Sequence, residues 1–184
     1  MKVTIVNGSP DDKWSKFENA LDRTAKKLSK EHDISVFNVK DMDISFCCGC
    51  YSCWTKTPGR CIFKDDMEKI IRSAVKSDLL LYTSPVITGF ISADTKKIMD
   101  RILPCALPFI RNFNGECHHP SRYENEPDLG VILYDDGKID ETSKGLVFDT
   151  IDRLSLNFHA DRTIKVTATE ENLSEVLENE IRNY

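Results

Sequence analysis

The sequence has no uninterrupted apolar run approaching the roughly 18–20 residues that cross a bilayer. Its amino terminus enters Lys2-Val3-Thr4-Ile5-Val6 directly, without a signal-peptide pattern. These absences exclude a membrane-spanning helix and lead us to expect a cytoplasmic protein. An excess of basic residues is also lacking: 25 Lys and Arg against 30 Asp and Glu give a net charge of -5, which offers no footprint for nucleic acid. No Gly-x-Gly-x-x-Gly fingerprint follows a strand, so any nicotinamide cofactor would bind only transiently. No Ser-His-Asp set or suitably spaced carboxylate pair argues for hydrolysis. Repeats, low-complexity tracts and an interdomain linker are missing as well, so residues 1–184 read as one domain with small-molecule partners.

What is present alternates strand and helix patterns from end to end, as in a parallel sheet covered by crossover helices. The patterns predict strands at 2–7, 33–39, 79–82, 129–134 and 163–167, and helices at 15–31, 65–76, 92–103, 141–157 and 170–182. Helix one carries Phe17, Leu21, Ala25 and Leu28 at helical spacing. Asp65 and Asp66 stand where carboxylates can satisfy the free N–H groups at the start of helix two. Five strands and five helices in this order fit a flavodoxin-like α/β fold: a doubly wound parallel sheet of order 2-1-3-4-5 whose ligand lies beyond the carboxyl ends of the strands. Two segments fall outside the alternation, a cysteine-rich loop at 45–64 and an excursion at 104–127 with little expected regular structure.

Two strand-to-helix turns carry the first chemical signal. Gly8 permits a sharp turn after strand one, and Ser9, Ser15 and Lys16 bracket the approach to helix one, whose exposed N–H groups form a natural phosphate seat. The same residues also suit a plain βα connection with Ser15 as its cap. The second turn reads Thr83-Ser84-Pro85-Val86-Ile87-Thr88-Gly89.

The second signal is cysteine. Five of the seven, Cys47, Cys48, Cys50, Cys53 and Cys61, fall within residues 47–61, whereas Cys105 and Cys117 stand apart. A reducing compartment disfavours a disulfide framework, and thiolates are soft ligands for iron–sulfur clusters or tetrahedral zinc. The residues themselves leave cluster, zinc, redox disulfide and small packing thiols all open.

Taken together, Asn7-Gly8-Ser9-Pro10, Cys50-x-x-Cys53 with Pro58-Gly59-x-Cys61, Asp65-Asp66-Met67, Ser84-Pro85-Val86, and Lys96 with Asp100-Arg101 resemble the flavodoxin-like NAD(P)H-dependent FMN reductases, including the iron–sulfur flavoproteins. The resemblance implies FMN as cofactor, with Ser9, Pro10, Ser15 and Lys16 at its phosphate and Ser84, Pro85, Val86, Ile87 and Gly89 along its ring. It implies a [4Fe–4S] cluster on Cys47, Cys50, Cys53 and Cys61, with Cys48 left over, and a homodimer or homotetramer. The expected activity is an FMN-dependent oxidoreductase that passes electrons from NAD(P)H or a protein donor to a quinone-like or other acceptor. Two places depart from the family pattern. Asp11 and Asp12 would repel a phosphate if they faced it, and Ile87 covers a ring by apolar contact where an aromatic would stack.

Other candidates have competing structural readings. Lys96 and Arg101 suit steering of nicotinamide phosphates or ordinary helix charges, Lys96 and Asp100 forming an i,i+4 pair. His118, His119, Arg122 and Tyr123 suit active-site cover better than a metal, because adjacent histidines do not point at one ion. The rival function is an electron carrier or interaction module with weak or no flavin binding and a zinc-bound or structural cysteine loop.

Overall fold

A computed structural model describes residues 1–113 and 115–184. Asn114, in the excursion, lies outside the described residues. The parallel strands are β1 (Lys2–Asn7), β2 (Asp33–Asn38), β3 (Leu79–Ile87), β7 (Asp128–Tyr134) and β8 (Thr163–Ala168), in the spatial order β2-β1-β3-β7-β8. This is the doubly wound order expected from the alternation. A short β4 (Phe90–Ile91) returns antiparallel on β3, and β5 (Arg111–Phe113) and β6 (Glu116–His118) form a separate hairpin. The helices are α1 (Ser15–Leu28), α2 (Ser52–Thr55), α3 (Met67–Ala74), α4 (Ala93–Arg101), α5 (Glu141–Phe158) and α6 (Leu173–Arg182). Among the described residues no helix is long and apolar enough to cross a membrane.

Period-two alternation divides the strand side chains between two layers. Val3, Ile5, Leu79, Leu81, Ile132 and Tyr134 pack with Phe17, Leu21, Leu173 and Leu177 of α1 and α6. Val6, Leu80, Tyr82, Val131 and Leu133 face Met67, Ile70, Ile98, Val147 and Ile151 of α3, α4 and α5. Leu79, Leu80, Leu81 and Tyr82 are each fully buried, as a central strand covered on both faces requires. Burial of each such side chain contributes about 1.5–3 kcal/mol.

Several boundaries differ from the sequence expectation, α3, α4 and α6 being shorter than 65–76, 92–103 and 170–182. Helix α1 stops at Leu28, where the N–H groups of Lys30 and Glu31 tighten onto the carbonyls three residues back, Lys27 and Leu28, and the Ser29 hydroxyl donates to the Ala25 carbonyl. Strand β3 continues past Tyr82 to Ile87, since β7 offers a pairing partner up to Pro85 opposite Tyr134, overriding the turn-forming chemistry of Thr83-Ser84-Pro85. The excursion holds more regular structure than expected: a 3₁₀ turn at Leu103–Cys105 and the β5–β6 hairpin.

The turn after β1 is held at close quarters. The Gly8 N–H donates to the Thr83 carbonyl at 2.9 Å, and the Gly8 carbonyl accepts the Ser92 hydroxyl. A Cβ at Gly8 would lie 1.9 Å from Thr95 Oγ1 and 2.9 Å from the Thr95 backbone nitrogen, so glycine is needed for α4 to seat on this turn. We expect Gly8→Ala to lower unfolding free energy by about 2–3 kcal/mol, read as a lower urea midpoint with an unchanged m-value. A midpoint equal to that of the parent would contradict this packing.

Candidate functional site

The carboxyl ends of β1 and β3 meet at a polar hub built on Asn7. Its side-chain oxygen accepts from the Ser9 N–H at 3.2 Å, the Ser9 hydroxyl at 3.0 Å, Thr83 Oγ1 at 3.2 Å and the Tyr134 hydroxyl at 3.2 Å. Its amide nitrogen donates to Asn38 at 3.0 Å and to Glu18 at 3.4 Å. One 1%-exposed amide thereby ties the ends of β1, β2, β3 and β7 to the first turn. Satisfied networks of this kind rigidify a site.

The turn from that hub to α1 exposes Lys16, leaves Pro10 and Ser15 half-buried and sequesters Ser9. Ser9 is fully buried with both of its donors on Asn7, so it shapes the turn from within. Lys16 lies 3.4 Å from Glu170 and is mostly exposed. Helix α1 continues directly from a 3₁₀ turn over Asp12–Trp14 that the Asp11 side chain caps, and the Ser15 N–H donates to the Asp12 carbonyl, so Ser15 offers its hydroxyl near the positive dipole end of the helix. Both acids of the turn are compensated locally. Asp11 accepts the Lys13 N–H at 3.0 Å, and Asp12 pairs with Lys40, which also binds Glu18. Donating to the Glu18 and Asp12 carboxylates raises the Lys40 pKa well above its ordinary value.

The second segment forms the β3–β4 hairpin. Thr88 (φ 50°) and Gly89 (φ 81°) both adopt left-handed backbone, the geometry of a two-residue turn whose second position favours glycine. Ile87 and Thr88 are exposed at the tip, Val86 and Gly89 are half-buried, and Ser84 and Pro85 are buried. The Ser84 hydroxyl donates to the Pro85 carbonyl and accepts the Ser92 N–H. Of the residues assigned to FMN, the structure therefore presents Pro10, Ser15, Lys16, Val86, Ile87 and Gly89 at the surface and turns Ser9, Ser84 and Pro85 inward. A βα turn with a hydroxyl and a lysine near the positive end of a helix suits a phosphate, and the apolar hairpin edge suits a flat ring.

The cysteine loop hangs from an ion pair. Arg101, 2% exposed, places its two terminal nitrogens 2.9 Å from the two Asp65 oxygens, and also donates to the Ser45 carbonyl. Asp65 in turn accepts the N–H groups of Ser45 and Met67. Arg101 thus joins α4 to the root of the loop and is not free to steer a phosphate, and Lys96 is taken up by Asp100. Burial acts to raise the Asp65 carboxyl, but the Arg101 hydrogen bonds and charge and the backbone donors outweigh it and hold the group below the usual carboxylate range. The Asp66 carboxylate reaches back to the Asp43 N–H instead of capping α3.

The far side of the loop docks on the excursion. Trp54 Nε1–H donates to the Ala106 carbonyl at 3.0 Å and its ring centroid lies 4.8 Å from that of His119. Arg122 donates to the Pro104 and Ala106 carbonyls. His118 contacts Asn157 and Glu116, whereas His119 contacts the Phe109 carbonyl, so the two imidazoles diverge, as expected of neighbours in sequence.

The thiols themselves differ. Cys53 is buried, Cys61 half-buried, and Cys47, Cys48 and Cys50 exposed. Hydrogen bonds from the Ser52 hydroxyl and backbone lower the Cys50 pKa. Burial, then the charges of Cys61, Cys47 and Cys50, raise that of Cys53. Cys105 is pushed up to about 12 by burial and is inert at neutral pH. Among the described residues no three His, Cys, Asp or Glu side chains are gathered closely enough to hold a metal ion. As placed, the four loop thiols do not form a ligand set. Tyr51, left-handed at φ 53°, gives the loop a strained non-glycine position of the kind found at functional sites.

Comparison with known proteins agrees with this layout. The family profile described as NADPH-dependent FMN reductase matches residues 1–117. An iron–sulfur flavoprotein of Archaeoglobus fulgidus is 31% identical over 105 residues, covering 56% of this chain and 46% of its own length. A second, from Methanocaldococcus jannaschii, is 32% identical over 118 residues, covering 62% and 59%. The chain thus spans about half the length of the curated relatives it matches. The NAD(P)H:quinone oxidoreductase of Methanothermobacter marburgensis shares the fold with a TM-score of 0.65 at 14% identity, over 100% of this chain and 96% of its own.

Sequence reading missed the Asn7 hub and the Trp54 anchor. Both belong to partners distant in sequence, and only a lone buried-type polar residue at a strand end hinted at the first. Replacing Asp65 by Asn should cost about 3–5 kcal/mol by stranding the Arg101 charge. Because the folded Asp65 pKa is depressed, the stabilisation is present above the unfolded value and is lost as pH falls through the folded one. Asp65→Asn should accordingly flatten the acid limb of stability below about pH 4, measured by urea titrations across pH. An equally steep acid limb in the variant would show that this carboxylate is not a main contributor.

Proposed function

We propose, because the chain belongs to the NADPH-dependent FMN reductase family, that it is an FMN-dependent oxidoreductase taking electrons from NAD(P)H. The observation that carries this reading is the placement of the turn before α1 and of the exposed edge of the β3–β4 hairpin at the carboxyl ends of β1 and β3. A doubly wound sheet binds ligands at that position. Ser15, with the first turn of α1 and Lys16, would hold the phosphate. Val86, Ile87 and Gly89 would lie along the ring, and Pro10 would border the turn. When bound, the flavin supplies hydride acceptance and one- or two-electron transfer.

The chain's own contribution is to position and to exclude. The Asn7 hub holds the phosphate turn against β3. Ser92 locks the hairpin to Gly8 through its hydroxyl and to Ser84 through its N–H. Val86 and Ile87 keep water from the ring face by apolar cover. A quinone-like acceptor is consistent with the activity named for the Methanothermobacter neighbour. A homodimer or homotetramer is supported by the family resemblance, and exposed Tyr51 and Phe109 flank half-buried Trp54 and His119 on one face of the cysteine loop and excursion.

Fluorescence titration tests the flavin site. FMN should bind saturably and riboflavin more weakly. Ser15→Ala should weaken FMN roughly tenfold by removing one hydrogen bond to a charged group. Asp11→Asn should tighten it about twofold to fivefold, because an exposed charge near a dianion is only partly screened. Riboflavin binding as tightly as FMN, or no saturation with either, would overturn the reading.

A cluster on Cys47, Cys50, Cys53 and Cys61 is the second element of the proposal, supported by the spacing and by the names of the curated relatives. No electron step is assigned to it, since the loop must first bring its thiols together. Protein prepared without oxygen should contain iron and acid-labile sulfide, which Cys61→Ala abolishes and Cys48→Ala spares. Iron-free protein after anaerobic reconstitution refutes the cluster, and stoichiometric zinc in its place favours a structural loop.

A further inference from the structure

A second cleft lies away from the flavin turns, between α3, residues 59–64 and Tyr123. Its volume is about 250 Å³. Helix α3 and the two residues that follow it shape it with two adjoining i, i+4, i+8 ridges. Met67, Ile71 and Val75 form an apolar wall, and Glu68, Arg72 and Lys76 form a charged one. Phe63 and Tyr123, both half-buried, complete the apolar surface.

Charge at the mouth runs against that of the whole molecule. Arg60, Lys64, Arg72 and Lys76 surround the opening with Glu68 as the one carboxylate among the lining residues, in a chain of net charge -5. Glu68 is committed to Arg72, which leaves Arg60, Lys64 and Lys76 without an ion-pair partner among the described residues. Arg101 also lines the cleft and stacks 5.2 Å from the Phe63 ring. Its Nε–H is buried with no acceptor among the described residues, although both terminal nitrogens are satisfied by Asp65. A buried donor left over in this way is uncommon and costly.

We propose that this cleft binds a small amphipathic anion: a flat apolar body of one or two rings carrying a carboxylate. The body would lie on Phe63, Met67, Ile71, Val75 and Tyr123, and the carboxylate would meet Arg60 and Lys64 at the mouth. An apolar pocket with a few convergent polar groups is the usual form of a small-molecule site, and a volume of this size admits a bicyclic acid but not a dinucleotide. The assignment does not rest on the flavin reading, because none of these lining residues belongs to the two flavin turns, but the cleft is also lined by Cys61, a proposed cluster ligand, so it is assigned to the protein without iron.

The test is a calorimetric titration of the full chain with 2-naphthoate, its neutral analogue 2-naphthamide, and acetate, each with and without saturating FMN. Naphthoate should bind one molecule per chain, roughly tenfold tighter than the amide as expected of a charge-assisted contact, and acetate should not saturate. Exchanging the exposed pair by Arg60→Gln with Lys64→Gln, which leaves the core untouched, should erase the preference for the acid while the amide binds as before. Val75→Glu should weaken both. Equal binding of acid and amide, a preference that survives the double substitution, or displacement of naphthoate by FMN would each overturn the proposal. FMN failing to bind while naphthoate behaves as described would sink the flavin reading alone.

Discussion

The buried pair of Asp65 and Arg101 is the contact on which the functional half of the molecule depends. Taking two charges out of water costs several kcal/mol per ion, and the pair is tolerable only because its geometry is bidentate and Asp65 collects two further backbone donors. In return three separate segments are fixed at once. Helix α4 is tied through Arg101, the start of α3 through Met67, and the root of the cysteine loop through Ser45. An apolar contact of similar area would not set the direction of the loop backbone, since it has no directional donors to satisfy.

Two polar centres divide the labour. The Asn7 hub organises the carboxyl ends of the sheet, where an anion and a ring are expected, while the ion pair organises the cysteine loop and the cleft beside α3. Helix α4 connects them. Its N-terminal Ser92 and Thr95 pack on Gly8 at the hub, and its last residue, Arg101, reaches the ion pair. A shift of this helix would therefore be felt at the flavin turns and at the cysteine loop together, because close-packed elements transmit displacement. The cysteine loop, anchored at its root by the ion pair and on its far side by Trp54, carries Cys47, Cys48 and Cys50 exposed between those anchors.

Local chemistry made much of this legible before any coordinates. The alternation of periods two and 3.6 specified the five parallel strands and the five main helices, and their order followed because doubly wound sheets allow few connections. The first turn was visible in Gly8, Ser9, Ser15 and Lys16, whose conformational and donor properties act within a few residues of their own position, whereas the assignment of both turns to a flavin came from the family resemblance. The cysteine cluster was equally visible as a spacing. Which of these groups face outward was not. Ser9 and Ser84 have the same chemistry as Ser15, yet their donors are used by Asn7 and Pro85, and nothing local distinguishes them.

The sequence by itself determined the fold class, the positions of the two turns and the loop that holds the thiols, since these depend on backbone preferences and on apolar periodicity. Tertiary structure decided which side chains are spent on the protein and which remain for a ligand. Arg101 could be read as a surface charge or an anchor until Asp65, 36 residues earlier, closed on it. Tyr134 meets Asn7 across 127 residues, and the cleft beside α3 exists only because Tyr123 and Arg101 come to lie next to Phe63. Pairings at such separations are fixed by the packing of the whole sheet, because a side chain's partner is set by which elements share a layer and not by the residues beside it in the chain.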